Sequence, residues 1–183
     1  MSKPHFKLKT TAGSVTLQPE NLTAHLAVAR RFMGAAGFGG WLANPDPVLK
    51  KLGRNIAVYR ELLADPVVAG HVRRRKAAVA GMDWRLDDDG VPPKVSETVS
   101  ALLDGLDLYK LIGQILDAAL FGYQPLEVVW QQGSVWLPRE ITAKPQEWFH
   151  FDDEGRLYIS DSFSGSLKNE PVPDFKFLCP THN

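Results

Sequence analysis

Between Leu120 and Phe151 the sequence LFGYQPLEVVWQQGSVWLPREITAKPQEWFHF leaves an apolar stripe of helical period and enters short apolar runs separated by turn residues. A chain whose hydrophobic period changes in this way must bury one helix face and one sheet face together, which restricts it to mixed folds. The stripe before the change is Leu108, Leu111, Ile112, Ile115, Leu116, Ala119 and Leu120, with Asp107 as a capping residue and Gly122 as a stop. After it, the pattern predicts strands at Leu126–Gln131, Val135–Leu137, Trp148–Phe151 and Leu157–Ser160, with turns around Gly133 and at Asp152–Gly155. A last apolar piece runs from Phe175 to Cys179. This stretch holds three of the five tryptophans, Trp130, Trp136 and Trp148, and no recognisable nucleophile, metal site or phosphate loop.

Upstream, two helix starts are written in the same way. Asp46 before Pro47 opens a helix whose Val48, Leu52, Ile56, Tyr59 and Leu63 share a face. Asp65 before Pro66 opens a second, with Val68, Val72 and Val79 expected inward and Gly81 as its end. Met82–Leu86 alternates apolar and polar residues and reads as a half-buried strand. A loop through Asp87, Asp88, Asp89 and Gly90 leads to a third helix carrying Val95, Val99, Leu102 or Leu103, and Leu106. The fold class expected is α+β, with about four amphipathic helices packed on an antiparallel β-meander. Residues 1–43 differ in character: they predict a flexible or partner-ordered arm, with one short helix between Leu22 and Phe32 and a Gly-rich run ending at Trp41. The folded domain is expected over 44–183, truncated at its C-terminal end, because the chain stops beside an apolar strand.

At 183 residues and 44% hydrophobic, the chain has enough apolar material for a core, which excludes wholesale disorder. Its formal charge is zero, so no global field draws it to nucleic acid or to an anionic membrane. The charges are nevertheless segregated. Asp46–Lys76 has eight basic residues against three acidic ones, and Asp83–Asp117 has eight acidic against three basic. Such segments can pair within one molecule or between neighbours. A single cysteine, Cys179, rules out an intrachain disulfide and a cysteine-rich metal centre. No apolar run follows the N-terminal lysines as in a signal peptide, and Phe32–Ala43 is too short and too rich in glycine to span a bilayer.

The candidates for chemistry are weak. The five histidines are scattered, and Asp87–Asp89 are consecutive where a calcium loop alternates its ligands, so neither metal nor cofactor is expected. No G-x-S-x-G turn surrounds Ser164 or Ser166, and Cys179 in an apolar strand reads as a core residue. Glu127 with Glu140, or Asp152 with Asp153, are carboxylate pairs that almost any fold can assemble. No catalytic residue is therefore assigned. Arg73, Arg74, Arg75 and Lys76 form the one basic cluster. Consecutive helical positions fan around the axis, so a solvated face is the default, and a subunit interface or a nucleic-acid contact is the sharper reading. Strand tryptophans serve packing more often than base stacking.

Several segments, in order, resemble a known family. They are Arg54–Leu63, Asp65–Ala69, the basic helix into Val79–Leu86, Ala118–Tyr123, Leu126–Trp130, Leu137–Ile141 and Pro145–Phe151. Together they resemble the N-terminal part of the portal protein of Mu-like tailed phages and prophages, over about residues 45–180. The resemblance implies a wing-like domain of a non-enzymatic head–tail connector. It implies ring homo-oligomers, twelve subunits in the full-length form, at the DNA-packaging vertex of the virion head and assembled in the bacterial host cytoplasm. The partners it implies are other portal subunits, capsid and terminase proteins, and double-stranded DNA passing through the channel, with no membrane. The competing readings are a nucleic-acid-binding module built on the basic helix and strand aromatics, and a phage hydrolase.

Overall fold

The computed structural model describes residues 6–10, 13–17, 22–27, 56–152, 154–159 and 171–182. The helix start at Asp46-Pro47, the Gly-rich run ending at Trp41, Asp153 and the Ser164–Ser166 segment lie outside the described residues.

The first element is a hairpin that the sequence reading passed over. Strand β1 (Phe6–Thr10) pairs antiparallel with β2 (Gly13–Leu17), in a register from Phe6 opposite Leu17 to Thr10 opposite Gly13. Its signal was the alternation Phe6-Lys7-Leu8-Lys9, which has the period of a strand. Of the helix expected over Leu22–Phe32, the described part is residues 22–27, with a helical turn only at Leu22-Thr23.

Helix α1 (Ala57–Leu62) is the described end of the first predicted helix. Ile56, Tyr59 and Leu63 join the core as their spacing requires. Helix α2 (Pro66–Ala80) begins as the sequence dictates: the Asp65 carboxylate accepts from the N–H groups of Val67 (2.8 Å) and Val68 (3.1 Å), and Pro66 takes the first turn. Its inward face is the predicted one only at Val72. Val68 and Val79 are exposed, and the covered stripe is Ala69, Val72, Lys76 and Ala80. Helix α2 packs against helix α4 (Leu108–Ile115), and Lys76 reaches across to Asp117.

Met82–Leu86 forms no strand, and Trp84 is half exposed. Alternation fixes which side chains share a face; a strand also needs a neighbouring backbone, and this segment has none among the described residues. Helix α3 (Pro93–Asp104) follows, with no fully buried residue. Asp107 caps α4 by accepting from the N–H of Lys110 at 3.0 Å. The apolar stripe predicted as one helix is interrupted at Leu116-Asp117, and a one-turn helix α5 (Ala118–Phe121) continues it. The chain tightens there: Asp117, Ala119 and Leu120 donate to the carbonyls of Gln114, Leu116 and Asp117, each three residues back. Gly122, at φ 85°, closes α5 in a left-handed conformation.

The α+β class holds, with four helices and the single turn of α5 against antiparallel strands among the described residues. The strands are divided between sheets instead of forming one continuous meander. Strands β3 (Leu126–Gln132) and β4 (Trp136–Ala143) form a hairpin around Gly133, and the C-terminal β7 (Phe177–Leu178) returns to the other edge of β3. Strand β4 runs well beyond the predicted Leu137. It does so past a bulge, where Trp130 pairs with Pro138 and Arg139 is left as the extra residue, which lets a proline sit in the strand. A 3-10 turn (Gln146–Trp148) leads into a second hairpin of β5 (Phe149–Phe151) and β6 (Leu157–Ile159).

The core lies where α5, the second hairpin and the chain around β7 converge. Ala27, Ile56, Phe121, Tyr123, Phe149 and Leu157 are buried together, with Trp148, Phe177 and Cys179 packed around them. Phe149 meets Phe177 edge-to-face, and Tyr123 meets Phe151 in the same way.

Candidate interaction surface and buried charge cluster

Arg73, Arg74 and Arg75 are exposed on α2, whereas Lys76 is half-buried. Lys76 Nζ lies 2.8 Å from Asp117 Oδ1, so the basic and acidic segments are joined within the chain at this point. The cluster therefore divides: three solvated guanidiniums remain on the surface, and one ammonium fixes α2 to the α4–α5 junction. Val67, Val68, Val79, Met82 and Trp84 are also exposed on this helix and the segment after it. Asp87–Asp89 are exposed as well, and Asp88 accepts from the hydroxyl of Ser96. The acidic run is thus a solvated loop that helps open α3.

The sequence reading missed the most organised polar site. Glu127, the second residue of β3, is fully buried, and so is Lys176 beside β7. Lys176 Nζ donates to the carbonyls of Leu22 (3.0 Å), Ala24 (2.6 Å) and Val128 (2.9 Å), and stands 3.5 Å from Glu127 Oε1. Glu127 also accepts from the Leu26 N–H, and Lys144 Nζ lies 3.0 Å from its Oε2. The His25 ring bridges two carboxylates, with Nδ1 3.4 Å from Glu127 and Nε2 3.5 Å from Glu140. Burial alone would raise the Glu127 carboxyl, but the Leu26 N–H and the two lysines outweigh it and hold it below its usual range. Burial pushes the Lys176 ammonium down, opposed by Glu127. Removing one member of so buried a pair costs about 3–5 kcal/mol, because the other charge is then stranded. Glu127 and Glu140, named in the sequence only as an unspecial pair, come together through His25. One signal was available: LEVVW and FKFLC are apolar runs each interrupted by a single charge, of opposite sign.

A second network joins α1 to the 3-10 turn. Arg60 Nη2 donates to Gln146 (2.9 Å) and Glu147 (2.7 Å), and its guanidinium lies over the Phe121 ring at 5.5 Å. The Gln146 side chain bonds that of Gln124, which in turn donates to the carbonyls of Pro125 and Lys144. Tyr123 donates its hydroxyl to the Gln146 carbonyl at 2.8 Å, and burial raises that phenol far above its usual range. Among the described residues no buried side-chain polar atom lacks a partner.

The other candidates occupy structural positions. Cys179 packs at the core, and burial pushes its thiol up to about 11, the opposite of an activated nucleophile. Trp130 and Trp148 serve packing: Trp148 lies against the core and Trp130 donates its indole N–H to the Phe175 carbonyl. Among the described residues no group of three or more His, Cys, Asp and Glu side chains is placed to hold a metal, and no helix is long and apolar enough to cross a membrane.

A sequence model described as the portal protein of Mu bacteriophage matches residues 56–183, every described element from α1 onward. The match covers over two thirds of the chain and puts it among the structural proteins of phage heads. The chain belongs to the Mu bacteriophage portal protein family. No curated protein matches its sequence.

Proposed function

We propose that this chain is the N-terminal, wing-like part of a portal ring at the DNA-packaging vertex of a phage head. It acts as structure, without a catalytic group or cofactor. Its partners are other subunits of the ring, twelve in the full-length form, with capsid and terminase proteins docking on the assembly. Double-stranded DNA passes through the channel, and assembly takes place in the host cytoplasm. The family match over residues 56–183 carries this reading. In the same proposal, residues 1–43 are an arm and the wing-like domain starts at residue 44.

Exposed Arg73, Arg74 and Arg75 and the exposed acidic loop at Asp87–Asp89 support a head-to-tail contact, in which each subunit offers two different faces. Arginine suits this role because its planar fork binds carboxylates bidentately. Lys76 is already held by Asp117 and contributes by fixing the helix that presents the arginines.

Negative-stain electron microscopy of the full-length gene product, with light scattering for mass, tests the reading. Rings with a central hole are expected, and the R73E/R74E/R75E variant should assemble less well while folding normally. A monomer that persists across salt and protein concentration would overturn the ring. Steeply salt-dependent binding of nucleic acid by that monomer would favour the nucleic-acid module instead.

A further inference from the structure

Residues 22–27 meet the sheet chiefly through their backbone. Lys176 has three protons, and two of them go to the carbonyls of Leu22 and Ala24, over 150 residues away in sequence. The third goes to Val128 in the central strand. Glu127 takes the N–H of Leu26, across a separation of 101 residues. Two fully buried charges of opposite sign are thus completed by a turn of peptide. Lys144 and His25 supply the remaining contacts to Glu127, and Glu140 faces His25 from β4.

The side chains of the turn divide sharply. Leu22 and Ala27 are buried at its two ends, while Thr23, Ala24 and His25 are exposed. Were this turn absent, Lys176 would lose two of its three carbonyls inside the protein, and Glu127 would lose its backbone donor. A buried donor without a partner is costly, so the seating of Lys176 depends on the turn. Lys176 stands directly before β7, and its own carbonyl accepts the Val128 N–H at 2.8 Å. The same residue therefore holds the N-terminal turn with its side chain and joins the central strand with its backbone. Glu127 and Lys176 both lie within residues 56–183, and the turn lies outside them.

We propose that Glu127 and Lys176 form a binding site for one turn of polypeptide backbone, occupied here by residues 22–27, and that its occupation seats β7 on β3. The ligand class is a peptide offering two carbonyls two residues apart, an N–H two residues further on, and an apolar side chain at each end. The site needs no ring and operates in the isolated chain. By linkage, whatever releases the turn loosens β7, and whatever loosens β7 releases the turn.

Hydrogen exchange on the full chain reads both ends at once. Leu26→Pro removes the N–H that Glu127 accepts and alters no group on the sheet. Exchange at residues 22–27 should rise, and the Val128 amide should exchange about ten-fold faster or more, with helix α2, which contributes no residue to the cluster around Ala27, unchanged. In the reverse direction, the Glu127→Leu/Lys176→Met double variant replaces both charges by apolar groups and should release residues 22–27. Ala24→Ser, at an exposed side chain, should leave exchange within about two-fold of the parent. A Val128 amide that keeps its protection when the turn is released would overturn the coupling. Release by Ala24→Ser alone would overturn recognition through the backbone. If the double variant does not fold, Leu26→Pro decides the matter by itself.

Discussion

Trp130 donates its indole N–H to the carbonyl of Phe175 at 2.8 Å, and Phe175 is the only non-glycine described residue with a positive φ, 60°. The left-handed backbone is what lets the chain turn from Pro173 into Lys176 and then into β7, and the indole holds that turn from the neighbouring strand. A phenylalanine there carries strain of about 1–2 kcal/mol that glycine would not. Phe175→Gly should therefore stabilise the protein or leave it unchanged, despite losing a half-exposed ring. Phe175→Val, with a β-branched side chain, should destabilise it by more than 1 kcal/mol. Trp130→Phe keeps most of the packing and forfeits the hydrogen bond, at about 0.5–1.5 kcal/mol. Urea unfolding of the three variants gives the ordering directly.

Two glycines in neighbouring helices should respond oppositely to alanine. Gly122 ends α5 at φ 85°, where an added Cβ is strained, so Gly122→Ala should cost about 1–2 kcal/mol. Gly113 lies inside α4, and a Cβ built on it meets nothing within 4 Å. Gly113→Ala should stabilise by about 0.5–1 kcal/mol through helix propensity. Thermal melts of the pair test whether the break at Leu116-Asp117 leaves α4 an ordinary helix.

How far the sequence reaches follows from the range of each interaction. The caps at Asp65 and Asp107 were legible because a capping carboxylate bonds N–H groups two or three residues away. The turn at Asp152–Gly155 was legible for the same local reason. The inward face of α2 was legible only at Val72, since Val68 and Val79 have the right hydrophobicity and the choice belonged to α4 and Asp117. The strand at Met82–Leu86 failed because alternation carries no information about a partner. Least visible was the cluster at Glu127, whose members His25, Lys144 and Lys176 come from three distant segments. Their only trace was a charge in each of two apolar runs. The family resemblance rested on order and spacing across many segments, which is why it survived errors in individual elements.

Cys179 should resist alkylation in the folded protein. It is half-buried against the core, and its thiol stands at about 11 in place of the ordinary 9.0. Only the thiolate reacts, so at pH 8 iodoacetamide should modify it on the order of 100-fold more slowly than in the unfolded chain. Mass spectrometry with and without denaturant measures this ratio. Equal rates would mean that Cys179 is as open to the reagent, and as readily ionised, in the folded protein as in the unfolded chain.

Acid should unfold the protein in two separable stages. Burial pushes His150 below its ordinary 6.5, with Asp152 acting in the opposite direction. The unfolded chain therefore binds the proton first, and stability begins to fall as pH drops below 6.5. Asp152 is the reverse kind of group. Partial shielding from water raises it, but the Arg156 backbone and side chain, the Tyr158 hydroxyl and the Glu154 N–H outweigh this and hold it at about 2, against 3.8. Its contribution is fully present above pH 3.8 and is lost as pH falls through about 2. Glu127 and Glu140, also held low, add to this second stage. Asp152→Asn should flatten the lower limb of a plot of melting temperature against pH. It should also move the His150 titration, followed by NMR, further down, since the anion that favours the imidazolium is gone. A lower limb that keeps its slope would assign that stage to Glu127 and Glu140. An unmoved His150 would mean that Asp152 does not act on the ring, although Tyr158 touches both residues.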